Sequence, residues 1–125
     1  MEVFHMDCIF CKIVQGEVPS YTIYEDEIVK CFLDVNPDCN GHVLIIPKQH
    51  TLDLTTIDEK TITHIYHVAQ DLKKRLEERL HINGLTLIQN NGDVQEVKHF
   101  HLHLKPYYNE EQELKPIKEI YEKLK

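Results

Sequence analysis

Glycine and proline, the residues that dominate flexible tails and linkers, are scarce here: the 125-residue chain has four glycines and five prolines. With 42% hydrophobic and 28% charged residues it has the profile of a folded protein, long enough for one core over residues 1–125. No apolar run approaches the roughly 18 residues needed to span a bilayer. The start Met1-Glu2-Val3-Phe4-His5 has neither the basic nor the apolar region of a signal peptide, so the cytoplasm is the expected compartment. A basic surplus is also missing. The formal net charge of −7, with Lys and Arg dispersed, argues against binding along a nucleic-acid backbone and leaves room only for a small, locally held anion. There is no Gly-x-Gly-x-x-Gly and no regular alternation of strand and helix, which excludes a Rossmann unit.

The residues that are present divide into short elements. Residues 8–15 suit one or two helical turns closed by Gly16, and Pro19 then breaks the pattern. The β-prone runs 21–25 and 28–33 flank Asp26-Glu27 and predict a hairpin. The turn-rich stretch Asn36-Pro37-Asp38-Cys39-Asn40-Gly41 leads into Val43-Leu44-Ile45-Ile46, a continuous apolar run that predicts a central strand stopped by Pro47. Ile62, Ile65, Ala69, Leu72, Leu76 and Leu80 recur three or four apart, predicting one long helix from about residue 58 to 80 with Asn83-Gly84 as its stop. Residues 85–89 form another strand, a polar loop follows, and the last strand carries the histidines. Ile117, Ile120, Tyr121 and Leu124 mark a final short amphipathic helix. The expectation is an α+β fold: a mainly antiparallel sheet of about five strands, one long helix and short terminal helices. Residues 7–108 would form the core and 109–125 a C-terminal extension.

The chemistry concentrates in His99-Phe100-His101-Leu102-His103. Side chains alternate faces along a strand, so the three imidazoles share one face and the apolar residues the other. Same-face neighbours lie about 6.5 to 7 Å apart, giving a row about 13 Å long that can hold a phosphate chain. An imidazole, with a reference pKa of about 6.5, is a ready nucleophile at neutral pH, and neighbouring imidazoles discourage its protonation. The rival reading is a zinc enzyme in which two same-face histidines bind metal and activate water. Cys8 and Cys11 have Cys-x-x-Cys spacing, which fits a redox pair or two zinc ligands, while Cys31 and Cys39 read as plain thiols.

The triad segment resembles the His-x-His-x-His-x-x signature of the histidine-triad superfamily. Four further blocks, in the same order, resemble its nucleoside-phosphoramidase branch: Cys8-Ile9-Phe10-Cys11-Lys12-Ile13, Phe32-Leu33-Asp34-Val35-Asn36-Pro37, His42-Val43-Leu44-Ile45-Ile46-Pro47-Lys48-Gln49-His50 and Gln89-Asn90-Asn91-Gly92. The resemblance implies a HIT-like fold, a homodimer whose sheets join, and a hydrolase cleaving at the α-phosphate of a purine nucleotide. His101 would be the nucleophile, His99 a supporting triad member, and His103 a phosphate contact. Asp34 would bind the ribose hydroxyls; Ile9, Phe10, Ile13, Phe32, Leu33 and Val35 would wall the base pocket; Asn90 and Gln95 would reach phosphate. By the same likeness His50 and His99 join Cys8 and Cys11 as ligands of a structural zinc. Hydrolysis of dinucleoside polyphosphates, or nucleotide binding with little turnover, are the alternatives.

Two departures from the family pattern stand out. The loop before the triad is the short Gly92-Asp93-Val94-Gln95-Glu96, without the usual Gly-Gln-Ser or Gly-Gln-Thr. Glu96 thereby brings a carboxyl where the family has a hydroxyl, and a carboxyl near phosphate can act as a general acid. Lys105 stands where an apolar residue is usual, setting a cation beside the sheet edge.

Overall fold

The structure, a computed structural model, describes residue 5 and residues 7–125; Met1 to Phe4, read above for leader features, lie outside the described residues. Its elements run α1 (Ile9–Val14), β1 (Thr22–Glu25), β2 (Val29–Leu33), β3 (Val43–Pro47), α2 (Glu59–Leu80), β4 (Gly84–Gln89), a 3-10 turn (Gly92–Val94), β5 (Leu102–Tyr107) and α3 (Ile117–Leu124). The strands form one five-stranded sheet in the order β1-β2-β3-β5-β4, antiparallel throughout, with β3 at its centre as the apolar run predicts. Among the described residues, no helix is long and apolar enough to cross a membrane.

Alternation sorts the side chains of the sheet onto two cores. Val29, Cys31, Leu33, Val43, Ile45, Leu102 and Leu104 face α2 and α3 and join Ile65, Leu72, Leu76, Ile120 and Leu124. Phe32, Leu44 and Ile46 face the other way, onto Cys8, Phe10, Cys11 and Ile13 of the α1 segment. The helix α2 starts where Asp58 caps it, its carboxylate accepting the Thr61 N–H at 2.7 Å. Its stop differs from the sequence expectation. His81, not the Asn83-Gly84 pair, takes the left-handed conformation that ends the helix, and Gly84 already belongs to β4.

The last strand also begins later than its alternating pattern suggests. The β3–β5 register pairs Val43 with Leu104 and Ile45 with Leu102, so its extension sets Phe100 opposite Pro47, which has no amide to donate. The ladder ends there. The Phe100 N–H bonds the Thr51 carbonyl instead, at 2.7 Å. Consequently only His103 lies within β5, while His99 sits in a bend and His101 on the irregular segment leading into the strand. The face alternation survives, since Phe100 packs in the helix-side core and both His99 and His101 meet the Phe10 ring on the other side.

Candidate functional site

Four donors converge where α1, the residues after β3 and the triad segment meet. Cys8 Sγ lies 3.4 Å from His99 Nδ1, and Cys11 Sγ lies 3.7 Å from that nitrogen and 3.2 Å from His50 Nδ1. All four donor atoms lie within 4.8 Å of one another. A tetrahedral ion bonded to sulfur at about 2.3 Å and to nitrogen at about 2.0 Å needs donors roughly 3.3–3.8 Å apart, and these spacings fit it. The ring orientation fits too. His99 Nε2–H donates to the Pro47 carbonyl at 2.8 Å, which leaves the Nδ1 lone pair aimed at the thiols. Cys8 caps α1 with its sulfur, accepting the Cys11 N–H at 3.3 Å, so the helix start holds both sulfurs together. Because protein donors fill the tetrahedron, a metal held by these four residues has no open position for water.

His99 links this cluster to the next triad residue. Its carbonyl accepts the Nδ1–H of His101 at 2.8 Å, which assigns the lone pair of His101 to Nε2. That nitrogen makes no hydrogen bond among the described residues. His101 is only 4% exposed, yet no fully buried side-chain nitrogen or oxygen lacks a partner there, so Nε2 keeps its access to solvent. Phe10 stands edge-on to the His101 ring with centroids 5.1 Å apart, and His103 follows at 4.9 Å.

His42, quoted above only as part of a motif block, completes the arrangement. The Asp38 N–H donates to its Nδ1 at 3.1 Å, so the ring proton sits on Nε2 and is donated to His103 Nδ1 at 2.9 Å. His103 must therefore carry its own proton on Nε2, which makes it an N–H donor toward the open side. The alternation His42-Val43-Leu44 could have revealed this residue, since Leu44 pairs with His103 on the same face. Asp34 closes the row, with Oδ2 3.7 Å from His42 Nε2 and Oδ1 accepting the Asn36 N–H at 2.9 Å.

The remaining expected residues sit in different surroundings. Ile9 and Val35 are exposed, in front of the buried Phe10, Ile13 and Phe32. Leu33 is turned onto the helix-side core by the same alternation that puts Phe32 on the histidine side, so a base can meet it only through its backbone. Gln95 is buried, and its amide N–H donates to the Leu52 carbonyl at 2.7 Å, which gives it a loop-holding task. The Asn90 side chain makes no hydrogen bond among the described residues. Glu96 is exposed and, with Ile9 and His50, lines a cavity of about 460 Å³ beside the metal cluster.

Burial keeps the row neutral. Desolvation, helped by His101, His42 and Lys105, pulls the pKa of His103 down to about 4. Burial also lowers His101, against opposing effects of the His99 carbonyl and the Asp34 and Glu96 carboxylates, and lowers His42. In an unfolded chain the His103 imidazole titrates near its reference value of about 6.5. Between those two values the unfolded chain takes up a proton that the folded chain refuses, so stability is full above about pH 6.5 and is lost as pH falls toward 4. Urea midpoints should therefore hold steady above neutrality and drop across that window, with the His103 ring nitrogens titrating at its low end. A midpoint that rises on acidification would contradict the buried, neutral assignment.

Comparison with known proteins follows the same residues. The family model of the HIT domain matches residues 15–110. A HIT-like protein of Methanocaldococcus jannaschii is 39% identical over 117 residues, covering 90% of this chain and 88% of its own. Adenosine 5'-monophosphoramidase HNT1 of Saccharomyces cerevisiae is 40% identical over 105 residues, 82% of this chain and 64% of that protein. Among solved structures, a zinc-bound histidine triad family protein from Mycobacterium smegmatis superposes with a TM-score of 0.88 at 36% identity, covering 95% of this chain and 91% of that one. With residues 15–110 matched by the family model, the chain belongs to the HIT domain family.

Proposed function

We propose that this protein hydrolyses a nucleoside phosphoramidate at the α-phosphate of a purine nucleotide, through a nucleotidyl intermediate on His101. The observation that carries the reading is the bond from His101 Nδ1–H to the His99 carbonyl, which leaves a lone pair on Nε2 at the open side of a desolvated ring. A similar protein, yeast HNT1, bears the name adenosine 5'-monophosphoramidase, which favours a P–N bond as the one broken.

In the first step Nε2 of His101 attacks phosphorus. A new N–P bond forms, the bond to the amine leaving group breaks, and the amine departs with its electron pair after taking up a proton. Glu96, one of two carboxylates with Asp34 whose charge is felt at His101, is our candidate to supply that proton. In the second step water attacks the same phosphorus and gives its proton to the carboxylate left on Glu96, the N–P bond breaks, and the nucleoside monophosphate leaves with His101 restored. His103 Nε2–H donates to a non-bridging oxygen as charge builds there, which is where a fixed donor in a dry site counts most. Asn90 reaches the phosphate from the neighbouring loop, and Asp34 binds the ribose hydroxyls.

Cys8, Cys11, His50 and His99 would hold a zinc ion that, when bound, would supply fixed geometry rather than a reacting atom. Its ligand His99 carries the carbonyl that orients His101, so the cluster braces the nucleophile from behind.

Two measurements test this reading. With adenosine phosphoramidate as substrate, His101→Ala should lose at least about 10³-fold in kcat/KM and Glu96→Gln about 10-fold or more. Near-normal turnover by His101→Ala excludes the covalent route, and an unchanged pH profile in Glu96→Gln removes that residue's role. Elemental analysis of the reduced, purified protein should find about one zinc per chain, falling in Cys8→Ser and Cys11→Ser. Clearly less than stoichiometric zinc would contradict the structural-metal assignment.

A further inference from the structure

The family match ends at residue 110, yet the chain beyond it reaches back to the turn that precedes β3. Asn40, in that turn, is only 5% exposed, and both ends of its side-chain amide are engaged. Its Nδ2 donates to the Glu113 carbonyl at 2.9 Å and its Oδ1 accepts the Lys115 N–H at 2.9 Å. Its own carbonyl accepts the Tyr108 hydroxyl at 2.7 Å. Residues 108–115 thus form a strap, and Asn40 is where the strap is fastened. Gly41 follows at φ 85°, a left-handed conformation that lets the chain turn directly from Asn40 to His42.

The fastening bears on the histidine row because of what the same turn does next. The Asp38 main-chain N–H donates to His42 Nδ1 and so keeps the ring proton on Nε2, which the Asp34 carboxylate 3.7 Å from Nε2 also favours. That proton in turn fills His103 Nδ1 and obliges His103 to present an N–H outward. If the turn shifts, Asp38 no longer fills His42 Nδ1, and the His42 proton can move to that nitrogen. His42 Nε2 then becomes an acceptor, His103 Nδ1 must be the donor, and His103 points a lone pair at the open side. Lys105, the residue that departs from the family pattern, holds the other end of the turn through Asp38 Oδ2 at 2.6 Å. This pair is largely exposed and makes a small contribution by itself. The buried contacts of Asn40 are the stronger restraint.

We propose that Asn40 is a positioning residue for His42 and His103, and that the C-terminal strap it binds, most of it beyond the family match, fixes the proton pattern of the histidine row. The activity arm of this proposal rests on the reading of His103 as a phosphate donor, whereas the proton pattern can be read in the free protein without any substrate. Failure of one is therefore distinguishable from failure of the other.

The test uses the full chain with Asn40→Asp, which keeps the acceptor for Lys115 but loses the donor to Glu113, and Asn40→Ala, which loses both. Long-range ¹H–¹⁵N spectra of the imidazoles should show His42 and His103 each protonated on Nε2 in the parent protein. Both variants should show mixed or inverted protonation at these two rings, with His101 unchanged. With adenosine phosphoramidate, kcat should fall about 10- to 100-fold, more than KM changes. Should Asn40→Ala fail to fold, Tyr108→Phe deletes a single hydroxyl bond to the same residue and should shift the ring signals in the same direction to a smaller extent. Ring spectra identical to the parent in Asn40→Asp and Tyr108→Phe would overturn the proposal, whatever their thermal stability. Altered spectra with normal kcat would retain the positioning role and reject His103 as the donor in turnover.

Discussion

One residue, His99, carries the constraint on which the site depends. Its ring is fixed at both nitrogens, Nε2 on the Pro47 carbonyl and Nδ1 among the cysteine sulfurs, and its backbone is fixed by the N–H to the Val97 carbonyl. The carbonyl of this immobilised residue is the acceptor that sets the orientation of His101. The Cys/His cluster and the proposed nucleophile therefore share one short segment. Pro47 makes the junction possible twice over: without an amide it ends the β3–β5 ladder, and its carbonyl then receives the His99 ring. A ladder continued through Phe100 would have no free Pro47 carbonyl to give.

The second feature is an array of imidazoles that works by orientation instead of charge. His42, His101 and His103 are all held neutral by desolvation, so none offers a fixed cation to an incoming phosphate. What they offer is a specified set of donors and lone pairs, decided by the His99 carbonyl at one end and the Asp38 amide at the other. This suits a protein of net charge −7, which has no long-range attraction for anions and must recognise one by close hydrogen bonds. It also lets the proposed nucleophile and donor be identical side chains only a few ångströms apart. Opposite main-chain partners give them opposite proton patterns.

Much of this was legible before the fold was seen, because the informative residues are locally patterned. The apolar run Val43 to Ile46 marked the central strand, the spacing from Ile62 to Leu80 marked the helix, and the triad alternation gave the correct faces even where the segment is not a regular strand. The four cluster donors, far apart in sequence, came only from likeness to a family; spacing could supply no more than Cys8 and Cys11. What escaped was the part that depends on long-range pairing. The role of His42 rests on a main-chain amide four residues away and on a ring sixty-one residues away, and neither leaves a periodic trace. The motif block treats Phe32 and Leu33 alike, whereas the strand sends their side chains to opposite faces. The helix stop at His81 gave no signal, since a non-glycine residue seldom takes a left-handed conformation.

The account turns on Nε2 of His101 being the atom that meets phosphorus. Rapid acid-free quenching of the enzyme with adenosine phosphoramidate, followed by peptide mass spectrometry and ³¹P–¹⁵N correlation, locates any covalent nucleotide to a single ring nitrogen. The account predicts a nucleotidyl group on His101, bonded through Nε2. A group bonded through Nδ1, a group on His103 or His42, or full turnover with no adduct at any time point would contradict it.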